Sequence, residues 1–360
     1  MDSHKNFFRF IASTLVIKDF LLGFQFLGYP LYMYLFGTSP YEIGIIYSLE
    51  FLSKITFIPI LHYFKGKERL SYTLSFLFSS IVFLNLALYP SLFTFLANAL
   101  LIGLSSSLGS SVTVFMGDLD RSKFSALGFL RRVFAALGFL AFYLTKYIPF
   151  STFYLSFFLV AIVPIVLSQF IEMKPVAVKY TLSIEFVRRS LREFSWYLTY
   201  VIGISLFTNM IPIVIHYYTG LSVYDEVFYF VIVFVISSIG AYFSKFIKGR
   251  LLIMSFMLSL LILALMGIGY YGGFMYIAYS FLYAVVSPNV SYLYARTVNK
   301  DIDKVAVISL VGTIITTLDN FMEGLIINLG LTSLIFPLAS LFMFLGVFSK
   351  VKGLSSENKP

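Results

Sequence analysis

Asp19, Glu50, Lys54, Asp319 and Glu323 are ionisable residues inside segments built mainly of apolar side chains. An ionisable side chain at membrane depth costs about 2.5 to 3.5 kcal/mol or more to insert, so each is a functional candidate from the outset. Carboxylates so placed can take up and release a proton, and a cation and carboxylate on facing helices can pair and part as a gate. Glu50 and Lys54 are four residues apart, as are Asp319 and Glu323, so each pair shares one helix face. Counted from Glu42 at 1.5 Å per residue, Glu50 and Lys54 lie roughly 12 and 18 Å deep. From Asn328, Asp319 and Glu323 lie roughly 13 and 8 Å deep. Lys18, beside Asp19, is long enough to snorkel to the surface, as are the adjacent Arg131 and Arg132, of which at most one is expected to reach a cavity.

Enzyme chemistry finds less support. The three His residues, His4, His62 and His216, lie on unrelated segments, whereas metal ligands cluster. Gly103-Leu104-Ser105-Ser106-Ser107 misses the nucleophile elbow at its last position. No Walker loop is present, and the absence of Cys removes thiol chemistry and Cys-based zinc sites. The reading is therefore no enzyme, no cofactor and no metal.

The elements that carry these residues are apolar runs of about 20 residues, the length at which a helix crosses about 30 Å of hydrocarbon. The 360 residues are 59% hydrophobic, 19% aromatic and only 12% charged, with a mean hydropathy of +0.90. A soluble core could not hide so much apolar surface. Twelve runs are expected: from about Phe10 to Phe36, Glu42 to Phe64, Leu70 to Leu88, Leu92 to Met116, a run ending near Tyr147, Phe150 to Ile171, Trp196 to Tyr218, Tyr224 to Ile247, Leu251 to Tyr270, Phe274 to Ala295, Val305 to Asn328 and Leu331 to Phe348. The first reads as a retained span and not as a cleaved signal. Between Glu172 and Ser195 lies a basic connector with no such run, which divides the chain into residues 1–171, a linker 172–195, residues 196–349 and a tail 350–360.

The net charge of +9 does not imply nucleic acid, because the Lys and Arg stand at the ends of apolar runs. With the N-terminus inside, all but Lys18, Lys54 and Lys146 fall at inner loops or their flanking turns. An asymmetry this large predicts an even number of spans with both termini cytoplasmic, in the cell membrane.

The two halves also repeat. Gly37-Thr38-Ser39-Pro40-Tyr41-Glu42 returns 183 positions later as Gly220-Leu221-Ser222-Val223-Tyr224-Asp225; Lys65-Gly66 returns at the same offset as Lys248-Gly249, and Asp118-Leu119-Asp120-Arg121 as Asp301-Ile302-Asp303-Lys304. A shared register over three matches marks an internal duplication.

A twelve-span, all-α chain of two six-span repeats with a basic strap between them resembles the major facilitator superfamily (MFS) of secondary transporters, in which two pseudo-symmetric six-helix bundles alternate in access. Tyr29-Pro30-Leu31-Tyr32-Met33-Tyr34 and Gly37 to Gly44 are similar to the family's junction of first and second helices. The resemblance covers nearly the whole chain, with one departure. Where the family's loop after the second helix carries an Asp and an Arg, this chain has Tyr63 and Phe64, so that latch is not carried over.

The resemblance implies permease function: a small organic solute moved by alternating access, without nucleic acid, by a chain that is a monomer among membrane lipids. Proton coupling would run through Asp19, Glu50, Asp319 or Glu323. It also implies that the second and eleventh helices meet across the halves, so that Lys54 would pair with Asp319; the competing reading is that Glu50 and Lys54 neutralise each other within one helix. It places a cavity among the first, fourth, seventh and tenth helices, which carry Gln25, Asn98, Asn209 and Asn289, with Tyr29, Tyr32, Tyr283 and Tyr292 as further lining candidates. Neutral hydrogen-bonding recognition is expected from those amides, the competing reading being interhelical bonding. The alternative function is a transporter-like sensor or scaffold that moves no solute.

Overall fold

The computed structural model describes residues 2–24, 29–38, 40–64, 66–112, 121–170, 183–208, 211–212, 215–216, 220–268, 272–299 and 301–348. These residues contain thirteen α-helices and no strand: α1 Asp2–Gly23, α2 Tyr29–Leu35, α3 Pro40–Phe57, α4 Glu68–Leu88, α5 Leu92–Gly109, α6 Arg121–Phe142, α7 Phe150–Ser168, α8 Ile184–Thr208, α9 Val223–Phe243, α10 Gly249–Leu265, α11 Gly272–Val298, α12 Ile302–Asn328 and α13 Ile335–Phe348. A 3₁₀ segment, Ile58–Phe64, continues α3. Each apolar run expected from sequence overlies a helix, but the first overlies two, α1 and α2. Among the described residues, seven stretches satisfy both the length and the apolarity needed to cross a membrane, whereas α10 and α13 are apolar but shorter.

Within the connector, residues 184–195 form the opening turns of α8. Ser190 and Phe194 are buried four residues apart, with Phe186, Val187 and Leu191 packed beside them, so the segment has an apolar stripe despite its charges. Residues 172–182 lie outside the described residues.

The outer surface explains why so apolar a chain folds this way. On α7, Leu155, Leu159, Val163 and Val166 are exposed at helical spacing, as are Ile232, Val235 and Ile239 on α9 and Leu318, Met322 and Leu325 on α12. Such belts are stable only against lipid. This is a multi-pass membrane protein.

The 183-residue repeat is written into the backbone as well. Gly37 and its counterpart Gly220 both adopt positive φ, 80° and 61°, and Gly66 and Gly249 do likewise at 77° and 54°. Glycine enters that left-handed region without the Cβ penalty, so both halves turn their chains at matching points by the same means.

Helices α1 to α7 pack chiefly on one another, as do α8 to α13. The two groups meet along two seams, α6 against α9 and α11, and α3 with its 3₁₀ extension against α12. Within the first group α1 and α6 touch backbone to backbone: a Cβ on Gly23 would meet the Ala135 carbonyl at 2.1 Å, and one on Gly138 would meet the Phe20 carbonyl at 1.8 Å. Within the second, Gly203 and Gly346 allow α8 and α13 the same intimacy. Small residues at crossings are how apolar helices associate where no hydrophobic force separates lipid from protein.

Side chains also fix the helix starts. Ser91 accepts from the Thr94 amide at 3.2 Å at the head of α5, and Ser222 from the Asp225 amide at 3.3 Å at the head of α9. Asp301 accepts from the Asp303 and Lys304 amides at 3.0 and 3.3 Å at the head of α12, where Lys304 also reaches Glu193 on α8 at 2.9 Å. Asp301→Ala is expected to cost about 1 kcal/mol, the usual value of an N-cap. A lowered melting temperature of the detergent-purified protein would show it; an unchanged one would mean that water replaces the cap.

Candidate functional site

A cavity of about 380 Å³ lies where the first seam opens. It is lined from the first helix group by Asp19 and Gly23 of α1 and by residues of α6 from Phe124 to Ala135, and from the second by Phe234 of α9 and Ser287, Pro288 and Ser291 of α11. The α1–α6 contact sets its polar geometry. Asp19 is one turn before Gly23 and Arg131 one turn before Ala135, so closure of the backbones at Gly23 brings this carboxylate and guanidinium together. The Arg131 Nε donates to Asp19 Oδ2 at 2.5 Å and its Nη2 to Oδ1 at 3.1 Å, a two-pronged pair that satisfies both groups.

Arg132 turns the other way yet stays in the cavity. One Nη donates to its own helix at the Gly128 carbonyl, 3.2 Å away, and the other crosses the seam to Ser287 Oγ on α11 at 2.6 Å. Gly128 makes room: a Cβ there would stand 3.4 Å from the guanidinium. Among the described residues no carboxylate pairs with Arg132. The expectation that only one of the two arginines could reach a cavity is corrected here, because α6 meets the space over a wide arc and both side chains are long. The expectation that Lys18 snorkels outward is corrected too. Its ammonium lies 2.7 Å from where a Cβ of Gly109 would be, turned inward toward α5. The interior of the first group is thus cationic around Asp19.

Of the remaining expected site residues, Tyr283 lines a second cavity of about 340 Å³, and its hydroxyl lies 2.6 Å from that of Tyr200. Asn98 is fully buried and serves as a tie between helices: it accepts from Asn85 Nδ2 at 2.9 Å and donates to the Val82 carbonyl at 3.3 Å on α4. Asn289 is buried and donates to its own helix at the Val285 carbonyl, 3.2 Å away, while its neighbours Ser287 and Ser291 face the cavity. Tyr29 and Tyr32 belong to an aromatic core with Phe95, Phe150 and Tyr154. Tyr292 packs edge-on to Phe124 at 5.8 Å. Gln25 and Asn209 lie outside the described residues. Recognition by neutral amides therefore has no support in the described residues, and the polar groups that line the cavity are charged or hydroxylic.

The second seam holds the other expected residues. Glu50 and Lys54 are each other's electrostatic neighbours on α3, one turn apart. Lys54 also lines a small cavity of about 160 Å³ with Ser309, Thr313 and Thr316 of α12. Asp319 accepts a hydrogen bond from Ser205 on α8. Glu323 is fully buried, and among the described residues its carboxylate has no hydrogen-bond partner. The α3 and α12 helices do meet, as expected, but the structure does not join Lys54 to Asp319. The lysine faces the hydroxyls nearer the start of α12.

Two helix groups, two seams and a polar cavity between them make up a fold that a solved transporter structure shares. In particular, the chain is similar over 96% of its length to 97% of the structure of the human organic anion transporter MFSD10 (TETRAN), with a TM-score of 0.67 and 16% sequence identity. No protein-family model matches the sequence, and no curated protein does.

Proposed function

We propose that this chain is a secondary carrier of small organic anions that works by alternating access. The observation that carries the reading is Arg132: a guanidinium without a carboxylate partner among the described residues, reaching from one helix group to Ser287 of the other across a cavity. A cation so placed would hold an anionic solute against both halves at once, and its release would accompany their separation. Among the residues that line the cavity, Asp19 balances Arg131, leaving Arg132 as the net charge. The similarity to a transporter described as acting on organic anions supports the same substrate class.

In this proposal residues 1–171 and 196–349 are two rocking halves of six spans each, joined by the connector, with both termini on the cytoplasmic side of the cell membrane. Glu50, Lys54, Asp319 and Glu323 gate the second seam, and buried Glu323 is the best placed of the carboxylates to carry a coupled proton.

The test is uptake by purified protein in lipid vesicles of a radiolabelled panel holding benzoate, succinate and neutral glucose, with and without a pH gradient. At least one anion should enter faster than in protein-free vesicles, and glucose should not. Entry of glucose alone would overturn the anion reading, and entry of nothing would favour the sensor or scaffold. If a pH gradient drives accumulation, Glu323→Gln should uncouple it; accumulation that survives this change removes Glu323 from the proton path.

A further inference from the structure

Arg132 lines both of these cavities, and so does Phe234, so the two spaces adjoin at the guanidinium. They differ in chemistry. The first holds the charges. The second, between α8, α9 and α11, is walled by rings. Tyr276, Tyr279 and Tyr283 recur along one face of α11 as a slipped column, with centroids 6.1 and 5.5 Å apart and ring planes within 29° and 18° of parallel. Phe207 stands edge-on to Tyr279 at 5.7 Å, and Phe230 edge-on to Tyr276 at 6.3 Å, from the facing helices. The Tyr279 hydroxyl, in a buried side chain, has no hydrogen-bond partner among the described residues.

A free inorganic anion or a short dicarboxylate would use the arginine and leave this chamber idle. Resting on the anion-carrier reading above, we infer that the solute is an amphipathic acid: a carboxylate or similar anion at Arg132, joined to a flat aromatic body that lies along the tyrosine column. Tyr279 and Phe230 then determine specificity by contact with that body, and Arg132 by charge. The chamber's volume, about 340 Å³, is in the range of pockets that bury compact ligands of this kind.

Thermal shift and binding titrations on the full-length protein with four probes test this: propionate, 3-phenylpropionate, 3-cyclohexylpropionate and 3-phenyl-1-propanol. The ring should tighten binding of 3-phenylpropionate over propionate by about tenfold or more, because a ring's worth of apolar surface leaves water. The flat ring should bind better than the puckered one, and the alcohol should bind at least about tenfold more weakly than the acid. Tyr279→Ala and Phe230→Ala should shrink the phenyl advantage to about twofold. Tyr279→Phe, which keeps the ring, should retain it, and this separates a lost wall from a misfolded one. Equal affinity for propionate and 3-phenylpropionate would overturn the aromatic chamber but leave an anion carrier standing. Equal affinity for acid and alcohol, or no binding of either acid, would overturn the anion reading beneath it.

Discussion

Replacing Arg132 with glutamine is expected to lower anion uptake by about 30- to 150-fold. A charge-assisted bond to a solute in a partly dry cavity is worth about 2 to 3 kcal/mol, and each 1.4 kcal/mol is a factor of ten. Glutamine keeps the straight polar stem but ends about two bonds short of the guanidinium nitrogen that bonds Ser287, so the charge and the bridge to α11 are both removed. Arg132→Lys should be intermediate: it restores the charge but not the planar fork that spans the Gly128 carbonyl, Ser287 and a solute together. Initial uptake rates in vesicles, beside melting temperatures of the same preparations, decide the matter. A glutamine variant that melts normally and transports at the parental rate would remove Arg132 from the solute site, and the proposed substrate class with it.

The second large effect is expected at Asp19. Asp19→Asn leaves Arg131 in the cavity without its counter-ion, and breaking such a pair from one side costs more than the pair itself contributes. Arg131 is 41% exposed while Asp19 is only 11% exposed, so solvent in the cavity relieves part of the penalty. The loss is accordingly set at about 2 kcal/mol, below the range for fully buried pairs. Adding Arg131→Gln to Asp19→Asn should return most of the lost stability, since two neutral amides can bond in the same place. A double variant as unstable as the single one would mean that Asp19 supports the α1–α6 contact by another route. The single variant also places two uncompensated cations in the cavity, and its preference should move toward doubly charged solutes.

Much of the architecture could be read in advance, and the reason is the solvent. Lipid demands continuous apolar runs, so the helices stand out in the sequence, and the duplicated glycines kept both their offset and their backbone conformation. The pairing of α3 with α12 followed from the resemblance. Side-chain partners were harder. Asn85 and Asn98 lie about equally far on either side of the turn at Pro90 to Ser91, so an antiparallel hairpin brings them to the same depth. That symmetry favours the interhelical bonding that stood beside the cavity role as the competing reading for Asn98. Lys18 could not be placed, because what decides its direction is the missing side chain at Gly109, on another helix. The arginine pair was misjudged by treating neighbouring residues as facing opposite ways, when a helix beside a broad cavity offers it several positions per turn. Tyr276, Tyr279 and Tyr283 form a helical stripe in plain sight, but a stripe reads the same whether it faces lipid, a packed core or a chamber.

The two kinds of helix contact in this molecule differ in compliance. Where α1 crosses α6, and where α8 crosses α13, main chain presses on main chain with no flexible atoms between, so neither crossing can slide without rupture. The seam between α6 and α9 is cushioned instead by deformable parts: the Ser125 and Ser244 hydroxyls 2.6 Å apart, and the rings of Tyr143 and Phe228 4.8 Å apart, which can slip, rotate or exchange partners at little cost. Mechanical work done on such an object concentrates in the cushion, as in two stiff plates glued with rubber. The pattern of glycine against aromatic residue along the bundle thus sets in advance which joints hold and which yield.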